Sequence, residues 1–168
     1  MSITLTSNYQ EVLPAAIVEI VDELIENDYT LEEVLEYVDY FGVENAVYLQ
    51  ELIDVVENTG STLNELYDFA EEYGYDNIQY FEDYVGLLNS YQEQEVRAFI
   101  ECFDVSDLRH FEETYEGYFE STDDFVDYVL EVGDYNIPDW ICVDANATWN
   151  SALRFDYYEE DGYYFRHL

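Results

Sequence analysis

The side chains of this chain that could do chemistry are its carboxylates. Of 168 residues, 41 are Asp or Glu, and only Arg97, Arg109, Arg154 and Arg166 oppose them, with no Lys at all. The formal charge is −37 at pH 7. Adjacent pairs such as Glu71-Glu72, Glu112-Glu113 and Asp123-Asp124 have the residue types for acid and base catalysis. Among so many acids such pairs arise anyway, and a solvated helix face is the reading they favour. His110 and His167 stand in no HExxH arrangement and at no zinc-ligand spacing with Cys102 or Cys142. Without Lys there is no phosphate-binding lysine loop, and no G-x-S-x-G turn occurs. The sequence therefore predicts a chain that is not an enzyme and that needs no metal or cofactor.

What remains is the charge itself. Like charges repel, and compaction brings them closer. Ordinary surfaces weaken that repulsion by interspersing Lys. Its omission implies that the field is useful, and that the partner is strongly basic: a nucleic-acid-binding cleft, a basic protein or a cation. The same field disfavours direct binding to nucleic acid or to an anionic membrane. At one charge per ~1.7 Å of duplex, 37 charges match roughly 63 Å of B-DNA. A compact chain of this length spans about 40 Å. Either the molecule is elongated or its acids wrap several faces.

Helical spacing makes stripes of acids. Asp123, Asp127, Glu131 and Asp134 share one side of a helix expected after Ser121. Glu112, Glu113, Glu116 and Glu120 read as an extension of the neighbouring helix. These, with Asp124, Glu71, Glu72, Asp76, Glu82, Asp83, Asp139 and Asp144, form the candidate target-binding set.

The elements that position them are mostly helical. Residues 2–6 read as an extended start. Val12, Ala15, Ala16, Ile20, Leu24 and Ile25 recur at helical spacing and predict one helix over residues 11–27. Thr30 with Glu33 predicts a capping box, and Gly42 a stop. The phrase returns at a constant offset of 32 residues as Thr62, Glu65, Leu66, Phe69, Tyr73, Gly74 and Asn77. A weaker copy follows 30 residues later through Glu95, Val96, Phe99 and Phe111, with Asp104 in the glycine position. Such recurrence predicts helical-hairpin repeats, each burying its apolar face on the next. Ser121 caps a further helix that Gly133 ends, and Pro138 opens a short segment reaching Trp149. Residues 153–158 and 163–166 read as two strands about an Asp161-Gly162 turn. The expected fold class is mainly α (α+β): an elongated stack of helical-hairpin repeats with a small C-terminal β-hairpin. Its expected regions are 1–60, 61–107 and 108–168.

Aromatic content of 18% argues against a disordered acidic tail. Tyr37, Tyr73 and Tyr115 are expected in or near the core, while tyrosines beside acids, such as Tyr157-Tyr158-Glu159, suit a protein interface. Two Cys without a CxxC pair, and no secretory signal, imply reduced thiols in a cytoplasm. The longest apolar stretch, near residues 12–21, is interrupted by Pro14 and Glu19 and is too short to span a bilayer.

Phe111-Glu112, Tyr115, Gly117, Phe119, Ser121, Asp124-Phe125 and Tyr128 form one long aromatic, glycine and acidic pattern. Ile137-Pro138, then Val143-Asp144 with Ala147, and the closing Gly162-Tyr163-Tyr164-Phe165 extend it. This pattern resembles the ArdA antirestriction family, DNA-mimic proteins of phages and mobile elements. It covers residues 80–168 and is strongest over 108–165. Two departures stand out: residues 1–60 read as helical repeats where the family has a small β-rich domain, and Asn150-Ser151 replaces the family's Arg-Asp pair. The resemblance implies a curved mimic that dimerises through its acidic C-terminal half and blocks type I restriction-modification enzymes. The expectation is a stoichiometric inhibitor seated in the DNA groove of that enzyme. The alternatives are a DNA mimic directed at another basic protein (a CRISPR effector, nucleoid protein or polymerase) and an acidic interaction module adapted to high salt.

Overall fold

The computed structural model describes residues 9–168 apart from Asp28, Asp134, Asn136 and Asp139. The extended start expected at residues 2–6 lies outside them. The chain divides into two compact units, Met1–Val85 and Gly86–Leu168. The described residues are mainly helical, with one small antiparallel sheet near the C-terminus.

In the first unit the single helix expected over residues 11–27 is two, α1 (Tyr9–Val12) and α2 (Ala15–Glu26). Pro14, at φ −55° and ψ 145°, interrupts them. Proline lacks an N–H and drives the preceding residue out of helical backbone, so the apolar periodicity runs on while the helix does not. α3 (Leu31–Phe41) starts where Thr30 Oγ1 accepts the Glu33 N–H at 3.3 Å. Gly42 stops it at φ +87°, a conformation open to glycine. A 3-10 turn (Val43–Tyr48) leads to α4 (Leu49–Thr59). The same order returns as α5 (Leu63–Tyr73), Gly74 at φ +93°, a 3-10 turn (Tyr75–Tyr80) and α6 (Phe81–Leu88). Here the capping box is complete, with the Thr62 N–H donating to Glu65 at 2.8 Å. The repeated asparagine has a shared duty. Asn45 Nδ2 donates to the Phe41 carbonyl at 3.0 Å, and Asn77 Nδ2 to the Tyr73 carbonyl at 2.7 Å. Each closes a helix end that would otherwise leave a carbonyl unpaired. Val21, Leu24, Val34, Leu49, Leu52, Ile53, Leu66 and Ile78 form a largely aliphatic core with Phe41, Phe69 and Phe81.

The second unit opens with α7 (Glu93–Cys102), a 3-10 turn (Val105–His110) and α8 (Phe111–Thr114). Gln92 takes the capping position of Thr62, and its N–H donates to Glu95 at 2.6 Å. Asp104, at φ −155°, replaces the glycine with extended backbone and accepts the Ser106 N–H at 2.9 Å.

Beyond Thr114 the helix read from the sequence gives way to strand β1 (Tyr115–Tyr118). The Thr114 hydroxyl donates to the His110 and Phe111 carbonyls, both at 3.1 Å, and Gly117 lies at φ +128°, outside helical backbone. β1 pairs antiparallel with β3 (Tyr163–Arg166), which also pairs with β2 (Tyr157–Glu160), in the order β1-β3-β2. The expected two-stranded hairpin is thus part of a three-stranded sheet. β2 begins only at Tyr157, because Leu153–Phe155 winds a 3-10 turn. The turn shrinks to Asp161 and Gly162, at φ +50° and +84°, as a two-residue hairpin of this hand demands. α9 (Thr122–Val132) starts at Ser121, whose Oγ accepts the Asp124 N–H at 3.2 Å. The segment expected from Pro138 becomes helical only at α10 (Ala145–Ser151). The core is aromatic: Phe125 stacks on Tyr164 with centroids 3.8 Å apart, and Phe99 and Phe111 meet Phe165.

Tyr37 is buried and Tyr73 and Tyr115 are half-buried, the placement expected of them. No helix among the described residues is long and apolar enough to cross a membrane.

Candidate acidic interaction surface

α9 is the clearest acidic stripe. Phe125 and Val126 turn inward, while Asp123, Asp127 and Glu131 are exposed at intervals of four residues. Asp134, the fourth position, and Asp139 lie outside the described residues. Asp124 is exposed and accepts the Ser121 hydroxyl at 2.6 Å. Asp144 is exposed but caps α10, its Oδ1 accepting the Ala147 N–H at 2.9 Å.

Residues 112–120 do not make one helical face. Glu112 and Glu113 sit on α8, Glu116 on β1, and Glu120 in the loop before Ser121. Glu116 departs furthest from its expected role. Its side chain is only 13% exposed, Arg166 Nη2 lies 2.7 Å from Oε1, and the Tyr128 hydroxyl donates to Oε2 at 3.0 Å. Attraction to Glu116 raises the Arg166 guanidinium above its ordinary value. Glu116 therefore joins β1, β3 and α9 and adds almost nothing to the outward field. Glu113 contacts the His110 ring, which in turn accepts a hydrogen bond from Arg109 at 3.0 Å.

Glu71 and Glu72 are exposed near the end of α5, Asp76 is exposed in the following 3-10 turn, and Glu82 and Asp83 are exposed in the first turn of α6. Helix C-termini favour cations. Yet no described α-helix has a basic residue in its last turn, and α5 ends near two acids. At the C-terminal ends the charge pattern thus runs against local helix stability, while first-turn acids such as Glu32, Glu65 and Asp123 favour it.

The candidate set omits the exposed acids earlier in the chain, among them Glu32, Glu36, Glu44, Glu51 and Glu57. A plain sequence signal marks them: residues 1–85 hold 21 of the 41 acids and no Lys, Arg or His.

The described residues contain no group of three or more His, Cys, Asp or Glu able to hold a metal ion. Burial, then Glu160, Glu159 and Glu101, pushes the Cys102 thiol up to about 12, so it is no thiolate nucleophile at neutral pH. An open cavity of 510 Å³ in the second unit is lined by Gln94, Arg97, Ala98, Glu101, Glu160, Asp161 and Tyr163. Its lining includes no His, Ser or Cys to act as base or nucleophile. The arrangement suits electrostatic recognition of a cationic surface. A scan against protein-family models found no match, and searches of curated proteins and of solved structures found none. The likeness to the ArdA family rests on the motif residues alone.

Proposed function

We propose that this chain is a DNA-mimic inhibitor that occupies the DNA-binding groove of a host defence enzyme, with a type I restriction-modification enzyme as the target. The observation that carries this reading is the run of 85 residues with 21 acids and no basic side chain, folded so that most of its acids face solvent. A groove lined with Lys and Arg holds condensed anions, and a carboxylate array displaces them with a gain in entropy, as DNA does. Opposite fields also speed the encounter. Thirteen of the sixteen candidate carboxylates are exposed, which supports a distributed contact. An elongated repeat stack, a homodimer and a bacterial cytoplasmic location belong to the same proposal. Light scattering with small-angle scattering tests the first two.

The deciding experiment titrates the protein into a type I restriction-modification enzyme bound to labelled DNA, at low and high salt. Stoichiometric displacement that weakens at high salt is the expected result. DNA that stays bound at both salts overturns the choice of target. Cooperative melting in dilute buffer separates the proposal from salt adaptation, which requires unfolding there.

A further inference from the structure

Nineteen tyrosines and no lysine are the compositional side of a recurring geometry. In both units a tyrosine hydroxyl donates to a carboxylate on a different element. Tyr9 on α1 bonds Asp22 on α2. Tyr29, just before α3, donates to Asp54 on α4 at 3.0 Å. Tyr48 bonds Asp76, joining the 3-10 turns of successive copies. Tyr115 on β1 donates to Glu95 on α7 at 2.6 Å, and Tyr128 on α9 to Glu116 at 3.0 Å.

Lysine could span such gaps, but its ammonium would cancel the charge it holds. A phenol is a neutral donor at ordinary pH, so it restrains the carboxylate and leaves its full negative charge. We infer that Tyr29, Tyr48 and Tyr115 are positioning residues of the acidic surface: Tyr48 fixes exposed Asp76, and Tyr29 and Tyr115 share with Gln50 and the Gln92 N–H the fixing of half-exposed Asp54 and Glu95, for a cationic partner and without neutralising them. This inference rests on the field being the functional feature, as proposed above. Preorganised side chains spare an interface the loss of rotamer freedom on binding. The bond to Asp76 raises the Tyr48 phenol above its ordinary value, and burial followed by the bond to Glu95 does so for Tyr115. Both stay donors at neutral pH. Tyr128 supplies an internal control, because its partner Glu116 is already neutralised by Arg166.

The test measures binding of an oligo-arginine peptide to the full chain across a salt series. The triple variant Tyr29→Phe, Tyr48→Phe, Tyr115→Phe keeps the ring packing and the net charge. It is expected to bind about tenfold more weakly with an unchanged salt slope. Tyr128→Phe is expected to bind like wild type even though it melts earlier, a separation that a purely structural role would not produce. Tyr48→Lys is expected to lower the salt slope. A triple variant within twofold of wild type, or a Tyr48→Lys protein with the wild-type slope, overturns the inference alone. Wild-type protein that ignores the peptide overturns the field reading and this inference with it. Should the triple variant fail to fold, phenol absorbance titration of Asp76→Asn carries the test. One phenol should move back toward the ordinary tyrosine value, and no movement overturns the inference.

Discussion

The two units meet the same problem, a fold loaded with like charge, by different means. Met1–Val85 carries 21 acids and no Lys, Arg or His of its own. Neutral donors tie several of its carboxylates: Tyr29 and Gln50 hold Asp54, Tyr48 holds Asp76, and Asn64 holds Asp68. Gly86–Leu168 carries 20 acids against four Arg, a formal −16 compared with −21. There Arg97 pairs with Glu93 at 2.8 Å and Arg166 with Glu116 at 2.7 Å, while the Arg154 guanidinium lies over the Phe155 ring at 4.9 Å. The cores differ too, aliphatic in the first unit and a stack of aromatic rings in the second. The contrast teaches that a field can be kept intact only where neutral donors replace cations. Where cations are admitted, an acid such as Glu116 is drawn into the fold and out of the field.

The largest expected effect comes from the second unit's core. Phe125 is fully buried and meets Phe119, Tyr157 and Tyr164. Phe125→Ala should cost about 3–5 kcal/mol in urea unfolding. A loss near 1 kcal/mol would mean that the aromatic stack does not organise that unit.

Salt should separate the units next. The Debye length falls from ~30 Å at 0.01 M salt to ~8 Å at 0.15 M. Repulsion within the cation-free unit is relieved more by that change. Amide exchange should slow with added salt more strongly in Met1–Val85 than in Gly86–Leu168. An equal response would break the comparison, since the four Arg would then make no difference.

Alkaline pH acts on both units through their tyrosines. Burial, then Glu33 and Glu57, pushes the Tyr37 phenol up to about 12; burial, then Glu71, does the same for Tyr75. Burial followed by the bond to Glu95 raises Tyr115 in the second unit. A raised folded value means that the folded state holds its proton more tightly than the unfolded chain. The stabilisation is therefore complete below pH 10, the unfolded value, and is lost as pH climbs from 10 toward 12. The melting temperature should be flat from pH 8 to 9 and fall steeply above about pH 10. A flat profile to about pH 12 would remove the phenols from the account of stability.

What the sequence made legible is local. Thr62 with Glu65 and Ser121 with Asp124 form the caps their spacing predicts, because capping involves residues three apart. Gly42 and Gly74 end helices because their backbone needs glycine. What escaped is long-range. β1 exists because Tyr115 pairs with Phe165, fifty residues on, and no local spacing records that register. Glu116 looks like any other acid until Arg166 on β3 reaches it. The break at Pro14 was legible in principle, but apolar periodicity continues across it and hides two helices as one. The acids before Glu71 were equally readable, since no cation occurs before Arg97.

The smallest predicted effect probes the claim that the field is distributed. Asp127 is exposed on α9, with Asp123 and Glu131 one turn away on either side. Like charges at this spacing repel. Asp127→Asn removes one charge from the stripe without opening the core, so it should raise the melting temperature by roughly 1 °C at low salt and by less at high salt. Its effect on DNA displacement from the enzyme should be correspondingly slight, because one contact among many contributes about one unit of salt slope at most. Neutralising Asp123, Asp127 and Glu131 together should lower that slope in proportion. If Asp127→Asn alone abolished displacement, α9 would carry a single anchor instead of one part of a field, and the cation-free first unit would need a different purpose.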